Sequence, residues 1–163
     1  MSQNLERLLF LMKVILYWLA VHVYVPTLTL KLSDASLIKV SSYLRTRAFE
    51  NQGKLYDNVF QIRKWKKYLP DGAKCFRSGF KKKHLNSYDS MYLSRFLLES
   101  YRAELAHWLI IGHAPLFLCL ADKTVFFMML LYISLENLPC IMAQRYNRPR
   151  IENVLRKQNR NKC

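Results

Sequence analysis

LAHWLIIGHAPLFLCLADKTVFFMMLLYISLENLPCIMA, Leu105–Ala143, decides the fold. Its first part, Leu105–Ala121, is apolar apart from two histidines. Its second, Val125–Ala143, carries only Glu136 and Asn137 as strongly polar residues. A membrane-spanning helix needs about 20 mostly apolar residues, within a range of about 17–25. Both parts meet that length, and only Asp122-Lys123-Thr124 separates them, so they predict a tight helical hairpin. Working outward, Leu8–Val25 is a third apolar block, interrupted by Lys13 and His22.

The expected fold is therefore all-α: a small polytopic membrane protein with about three transmembrane helices and a helical, basic, cytoplasmic or interfacial segment. The 163 residues form one membrane-embedded domain. Its parts are a first membrane helix at 8–30, a basic segment at 31–102, a transmembrane hairpin at 103–121 and 125–143, and a basic tail at 144–163. The first block also has the composition of a secretory signal, with Arg7 and Lys13 flanking an apolar run. No small-residue cleavage site follows it, and an uncleaved helix is expected.

Charge gives the orientation. Lys and Arg number 26 against 11 Asp and Glu, a net charge of +15. The basic residues concentrate between Lys31 and Arg102 and again from Arg145 to Lys162. A hairpin returns the chain to the side it left, so both basic regions share one side, and basic flanks mark it as cytoplasmic. Nucleic acid is excluded as a partner, since it would account for the charge but not for the apolar hairpin. Anionic membrane lipids account for both. Cys75, Cys119, Cys140 and Cys163 form no CxxC pair, and neither a disulfide framework nor a metal site is expected.

Within the basic segment, KLYDNVFQIRKWKKYLP (Lys54–Pro70) repeats Leu55, Val59, Ile62, Trp65 and Leu69 at helical spacing. It reads either as an amphipathic helix in the headgroup layer or as a helix packed on its own domain. Asp71-Gly72 after Pro70 marks a turn, and Lys81–Lys83 a solvated basic run. A further helix begins near Ser87 or Asp89 as N-cap.

Two constellations can carry chemistry. In RAELAHW, Glu104 and His107 are three apart and share a helix face. A carboxylate can fix a histidine tautomer and stabilise its cation, making the ring a base for a hydroxyl proton. The same spacing also serves an interfacial pair that anchors the helix. The second constellation is NLPCIMAQRYNRPR, Asn137–Arg150. Arg145, Arg148 and Arg150 offer planar forks suited to phosphate or carboxylate. The bland reading is that they only obey the positive-inside rule. His22 and His113 read as packing positions.

RKWKKYLPDG (Arg63–Gly72), RAELAHW (Arg102–Trp108) and NLPCIMAQRYNRPR resemble the glycosyl-4,4'-diaponeurosporenoate acyltransferase family of staphyloxanthin-type carotenoid synthesis in bacteria. The motifs come in the same order and at similar separations. The resemblance implies esterification of a fatty acyl chain onto a sugar hydroxyl of a glycosylated lipid or carotenoid acceptor at the cytoplasmic face. It implies acyl-CoA or acyl carrier protein as donor, and no cofactor. The implied catalytic residues are His107 as base, Glu104 as its orienting group and Asn137, with Tyr146 as the alternative, at the oxyanion. The implied substrate-binding residues are Arg63, Lys64, Trp65, Asp71, Arg102, Trp108, Arg145, Tyr146, Asn147, Arg148 and Arg150. Glu136 departs from the small residue expected there. Two rival functions remain: a non-catalytic membrane subunit that binds anionic lipid and a partner protein, and another membrane transferase such as a lipid methyltransferase.

Overall fold

The computed structural model describes residues 3–69, 89–119 and 121–161. Asp71, the Asp71–Gly72 turn, Ser87, the Lys81–Lys83 run, Cys75 and Cys163 lie outside them. Every regular element among the described residues is helical. The α-helices are α1 Gln3–Leu30, α2 Asp34–Tyr43, α3 Lys54–Asn58, α4 Ile62–Trp65, α5 Ser90–Gly112 and α6 Lys123–Arg160. Short 3-10 turns occupy Ala48–Gly53, Lys66–Tyr68 and Ala114–Cys119.

Two helices, α1 and α6, are long and apolar enough to cross a membrane. The Leu105–Ala121 block is divided. Gly112 ends α5, and the chain continues as the 3-10 turn Ala114–Cys119. Pro115 has no N–H to donate back along a helix, which explains the stop. Across this turn α5 and α6 form a helical pair. Asp122 caps α6 by accepting from the Val125 N–H at 2.9 Å, and α6 packs along α5. Its sense is antiparallel, because α5 residues Phe96, Ser100 and His107 meet α6 residues Ile151, Arg148 and Asn137 in turn.

Helix α1 runs antiparallel to α5. The Tyr17 hydroxyl donates to the His113 carbonyl at 2.8 Å, while Arg102 caps the far end of α1 by donating to the carbonyls of Thr29 and of Leu32. A stripe of Val14, Trp18, Val21 and Val25 packs on Ala106, Ile110, Ala114, Phe117 and Ile133. The opposite faces stay uncovered: Leu8, Leu11, Ile15, Leu16 and Leu19 on α1, and Phe127, Met128, Leu131 and Leu135 on α6, are all exposed.

At 1.5 Å per residue the 38 residues of α6 extend about 57 Å. The hairpin helix and the expected 144–163 tail are thus one helix, through Pro139 and Pro149, as far as Arg160. Its second half carries the polar half of the molecule. There Tyr56 and Ile62 pack on Ala143 and Tyr146, and Leu93 and Phe96 on Ile151. The Lys54–Pro70 run is not one amphipathic helix. Gln61 turns left-handed (φ 49°) between α3 and α4, and Val59 of the expected apolar stripe is exposed. Asp89 caps α5 by accepting from Met91 and Tyr92.

A candidate acyl-transfer site at the apolar–polar boundary

Where the apolar half of the α5–α6 pair ends, His107 Nδ1 donates to Asn137 Oδ1 at 2.7 Å. Asn137 is buried, and its Nδ2 donates to the Ile133 carbonyl at 2.9 Å. A carbonyl can only accept, so the amide nitrogen must face Ile133 and the amide oxygen must face His107. The proton therefore sits on Nδ1, and Nε2 is the basic nitrogen of the ring. The oxygen of Asn137 and one of its two N–H groups are committed to these bonds, and the amide keeps a second N–H to donate.

Glu104 is held by two arginines and a tryptophan. It is fully buried. One carboxylate oxygen accepts from Arg145 Nη1 at 2.7 Å and from Trp108 Nε1 at 3.1 Å, and the other accepts from Arg148 Nη2. Arg145 reaches on to Glu50, its Nε at 3.1 Å from Oε2 and its Nη2 against Oε1. Glu50, also fully buried, accepts from the Arg47 N–H at 2.8 Å and the Tyr56 hydroxyl at 2.9 Å. Burial alone would push the Glu50 carboxyl up. The bonds from Arg145, Arg47 and Tyr56 outweigh it and hold the carboxyl below the ordinary value. Two carboxylates thus neutralise two guanidiniums in a buried lattice. Arg148 completes it with bonds to Ser100 Oγ at 3.1 Å and the Leu44 carbonyl at 2.8 Å, and its fork lies 4.2 Å from the Tyr101 ring centroid.

Arg148 has no exposed surface, and its nitrogens all hold protein groups. Arg102 is likewise committed, to the end of α1 and to Glu99 at 3.1 Å. Both follow one physical rule: a buried guanidinium must be satisfied by protein groups. Arg145 remains partly accessible beside them. Arg63 is exposed and grips Asp57 through both its Nε and Nη2. Lys64 donates to Gln61 at 2.7 Å, and Trp65 Nε1 to the Phe60 carbonyl at 2.7 Å. Tyr146 is buried with Arg150 3.5 Å and Lys66 4.6 Å from its ring centroid, and Lys66 donates to Asn147 Oδ1 at 3.0 Å.

A family profile described as glycosyl-4,4'-diaponeurosporenoate acyltransferase matches residues 40–157. The chain belongs to that family. Proteins named glycosyl-4,4'-diaponeurosporenoate acyltransferase include one from Staphylococcus haemolyticus, 32% identical over 83% of this chain and 79% of its own length. Another, from Staphylococcus aureus strain bovine RF122 / ET3-1, is 31% identical over 86% of this chain and 85% of its own. No solved structure matches the chain significantly. The glycosyl-4,4'-diaponeurosporenoate acyltransferase profile spans Glu50, Glu104, His107, Asn137, Arg145 and Arg148, the whole buried lattice and the histidine above it, and starts beyond α1.

Glu50, Ser100 and Glu99 are site-supporting residues that sequence reading missed. Glu99 was reachable, since Arg95 and Arg102 stand at helical spacing from it and both pair with it. Glu50 was not, because its partner Arg145 lies 95 residues away. His22 Nδ1 donates to the Trp18 carbonyl at 2.8 Å, and its Nε2 stands 3.3 Å from Glu136 Oε1 without hydrogen-bond geometry.

Proposed function

We propose that this chain is a membrane O-acyltransferase that esterifies a sugar hydroxyl of a lipid-soluble glycoside, with glycosyl-4,4'-diaponeurosporenoate as the acceptor its relatives' name specifies. The observation that carries the reading is the His107–Asn137 pair at the boundary between the apolar and polar halves. An acyl donor and a lipid-linked sugar keep their tails in hydrocarbon and their reactive heads at its edge, which is where the histidine stands.

His107 Nε2 takes the proton of the acceptor hydroxyl as the oxygen attacks the acyl carbonyl carbon. The carbon–sulfur bond of an acyl-CoA or acyl carrier protein thioester then breaks, and the imidazolium returns the proton to the departing thiolate. A neutral asparagine is sufficient partner for such a ring, as in cysteine–histidine–asparagine sites. The Glu50–Glu104–Arg145–Arg148 lattice holds α5 and α6 in register beneath it.

Membrane placement rests on the uncovered apolar faces of α1 and α6, which water would leave uncompensated and hydrocarbon would not. The two helices run parallel, each from an apolar start into the basic half, which by the positive-inside rule faces the cytoplasm. The test uses purified full-length protein in phosphatidylcholine nanodiscs, offered glycosyl-4,4'-diaponeurosporenoate with palmitoyl-CoA, palmitoylated acyl carrier protein or labelled S-adenosylmethionine. Mass spectrometry should find the acyl ester. A methylated product, or no product from any donor, would give the site to one of the rival readings.

A further inference from the structure

Arg145, Arg148, Arg102, Arg95 and Arg63 each meet a carboxylate. Lys66 and Arg150 are different. Neither has an ion-pair partner among the described residues, yet both are gathered onto the ring of buried Tyr146. Asp57, whose charge reaches Lys66, is already gripped by Arg63. The ammonium is aimed by Asn147 Oδ1 and the guanidinium by the Tyr146 carbonyl. Gly53 packs against the pair: it adopts φ +81°, and a Cβ there would stand 3.2 Å from Arg150 Nη1 and 3.1 Å from the Tyr146 carbonyl oxygen.

We propose that Lys66 and Arg150, set on Tyr146 and positioned by Asn147, form a phosphate-binding site of this protein. The inference rests on the acyl-transfer reading and names the part of the donor held there: a phosphate of a phosphate-bearing carrier such as coenzyme A. An oriented ammonium and an oriented guanidinium, both set on the Tyr146 ring, suit a phosphate's several acceptor oxygens. Burial, and after it the neighbouring Arg150 charge, lower the Lys66 pKa against a smaller opposing pull from Asp57. The phosphate of an anionic lipid headgroup has the same chemistry, and the two sources are separated by experiment.

Full-length protein in phosphatidylcholine nanodiscs is titrated calorimetrically with coenzyme A, with and without inorganic pyrophosphate as competitor. The same titration is repeated in nanodiscs containing phosphatidylglycerol. Wild type should bind, pyrophosphate should compete, and Lys66→Gln or Arg150→Gln should each weaken binding roughly tenfold to a hundredfold. Arg150→Lys should keep part of it, and Lys39→Gln, which removes a charge elsewhere, should change nothing. If wild type binds phosphatidylglycerol vesicles in place of coenzyme A, and the same two variants lose that binding, the source is the headgroup. Should a variant fail to fold, acetylation of wild-type Lys66 decides. Protection by coenzyme A or phosphatidylglycerol, with Lys39 unprotected, supports the site, and equal labelling overturns it. Folded variants that bind like wild type also overturn it. Normal binding without ester formation would sink the transfer reading alone. Unimpaired transfer by the variants would sink this site alone.

Discussion

A histidine acts as a base only when the nitrogen facing the substrate keeps its lone pair, and here Asn137 decides which nitrogen that is. Replacing Asn137 by leucine should lower turnover at least about tenfold, because the proton is no longer held on Nδ1. Asn137→Asp should retain activity, since its carboxylate also accepts from Nδ1. It should also raise the histidine pKa, moving the acid limb of the pH–rate profile to higher pH. A profile unchanged in the Asp variant would detach Asn137 from His107. Glu104 is a different case. Glu104→Gln leaves buried Arg145 and Arg148 short of a counter-charge and should cost about 3–5 kcal/mol of stability, read as a fall in melting temperature. Glu50 adds a pH dependence whose sign is fixed. A carboxyl held below its unfolded value stabilises the fold above that value, and the stabilisation drains away as pH falls through the lowered one. Glu50→Gln should therefore be less stable than wild type at neutral pH, and the gap should close on acidification. A constant gap would contradict the lattice.

At the scale of elements, the α5–α6 hairpin was legible because apolar length and a three-residue connection are local properties. The break inside its first arm was legible too, in Gly112 and Pro115, but an apolar count does not register it. The Lys54–Pro70 run shows the opposite failure. Its apolar spacing suits a helix, yet left-handed Gln61 interrupts it, because the segment must fold over Tyr146. The candidate site was half legible. His107 and Asn137 stood out as polar groups in apolar sequence. Helical spacing then coupled Glu104 to His107, whereas contacts 41 and 44 residues away won the carboxylate for Arg145 and Arg148. One element carries its own test. Gly53 combines a positive φ with a close approach to Tyr146 on α6. Gly53→Ala should destabilise by more than about 1 kcal/mol, visible as a lowered melting temperature. An unchanged melting temperature would show that the 3-10 turn does not need to seat so tightly against α6.

At the scale of the whole molecule, one end is apolar outside as well as inside, the other is polar and basic, and the histidine lies between. In a cysteine-free background, Lys123→Cys at the hairpin tip should react with a membrane-impermeant thiol reagent in intact cells. Asn159→Cys near the end of α6 should react only after permeabilisation. Reaction of Asn159→Cys in intact cells would invert the topology. The site and the topology meet in the claim that His107 is the base for acyl transfer at this boundary, and the most direct test is the initial rate of ester formation by His107→Ala. It is measured against wild type in the same nanodiscs, with both proteins melting at the same temperature. The account predicts a fall of roughly 10²–10⁴-fold. A folded His107→Ala protein that esterifies the acceptor within a few-fold of wild type would contradict it.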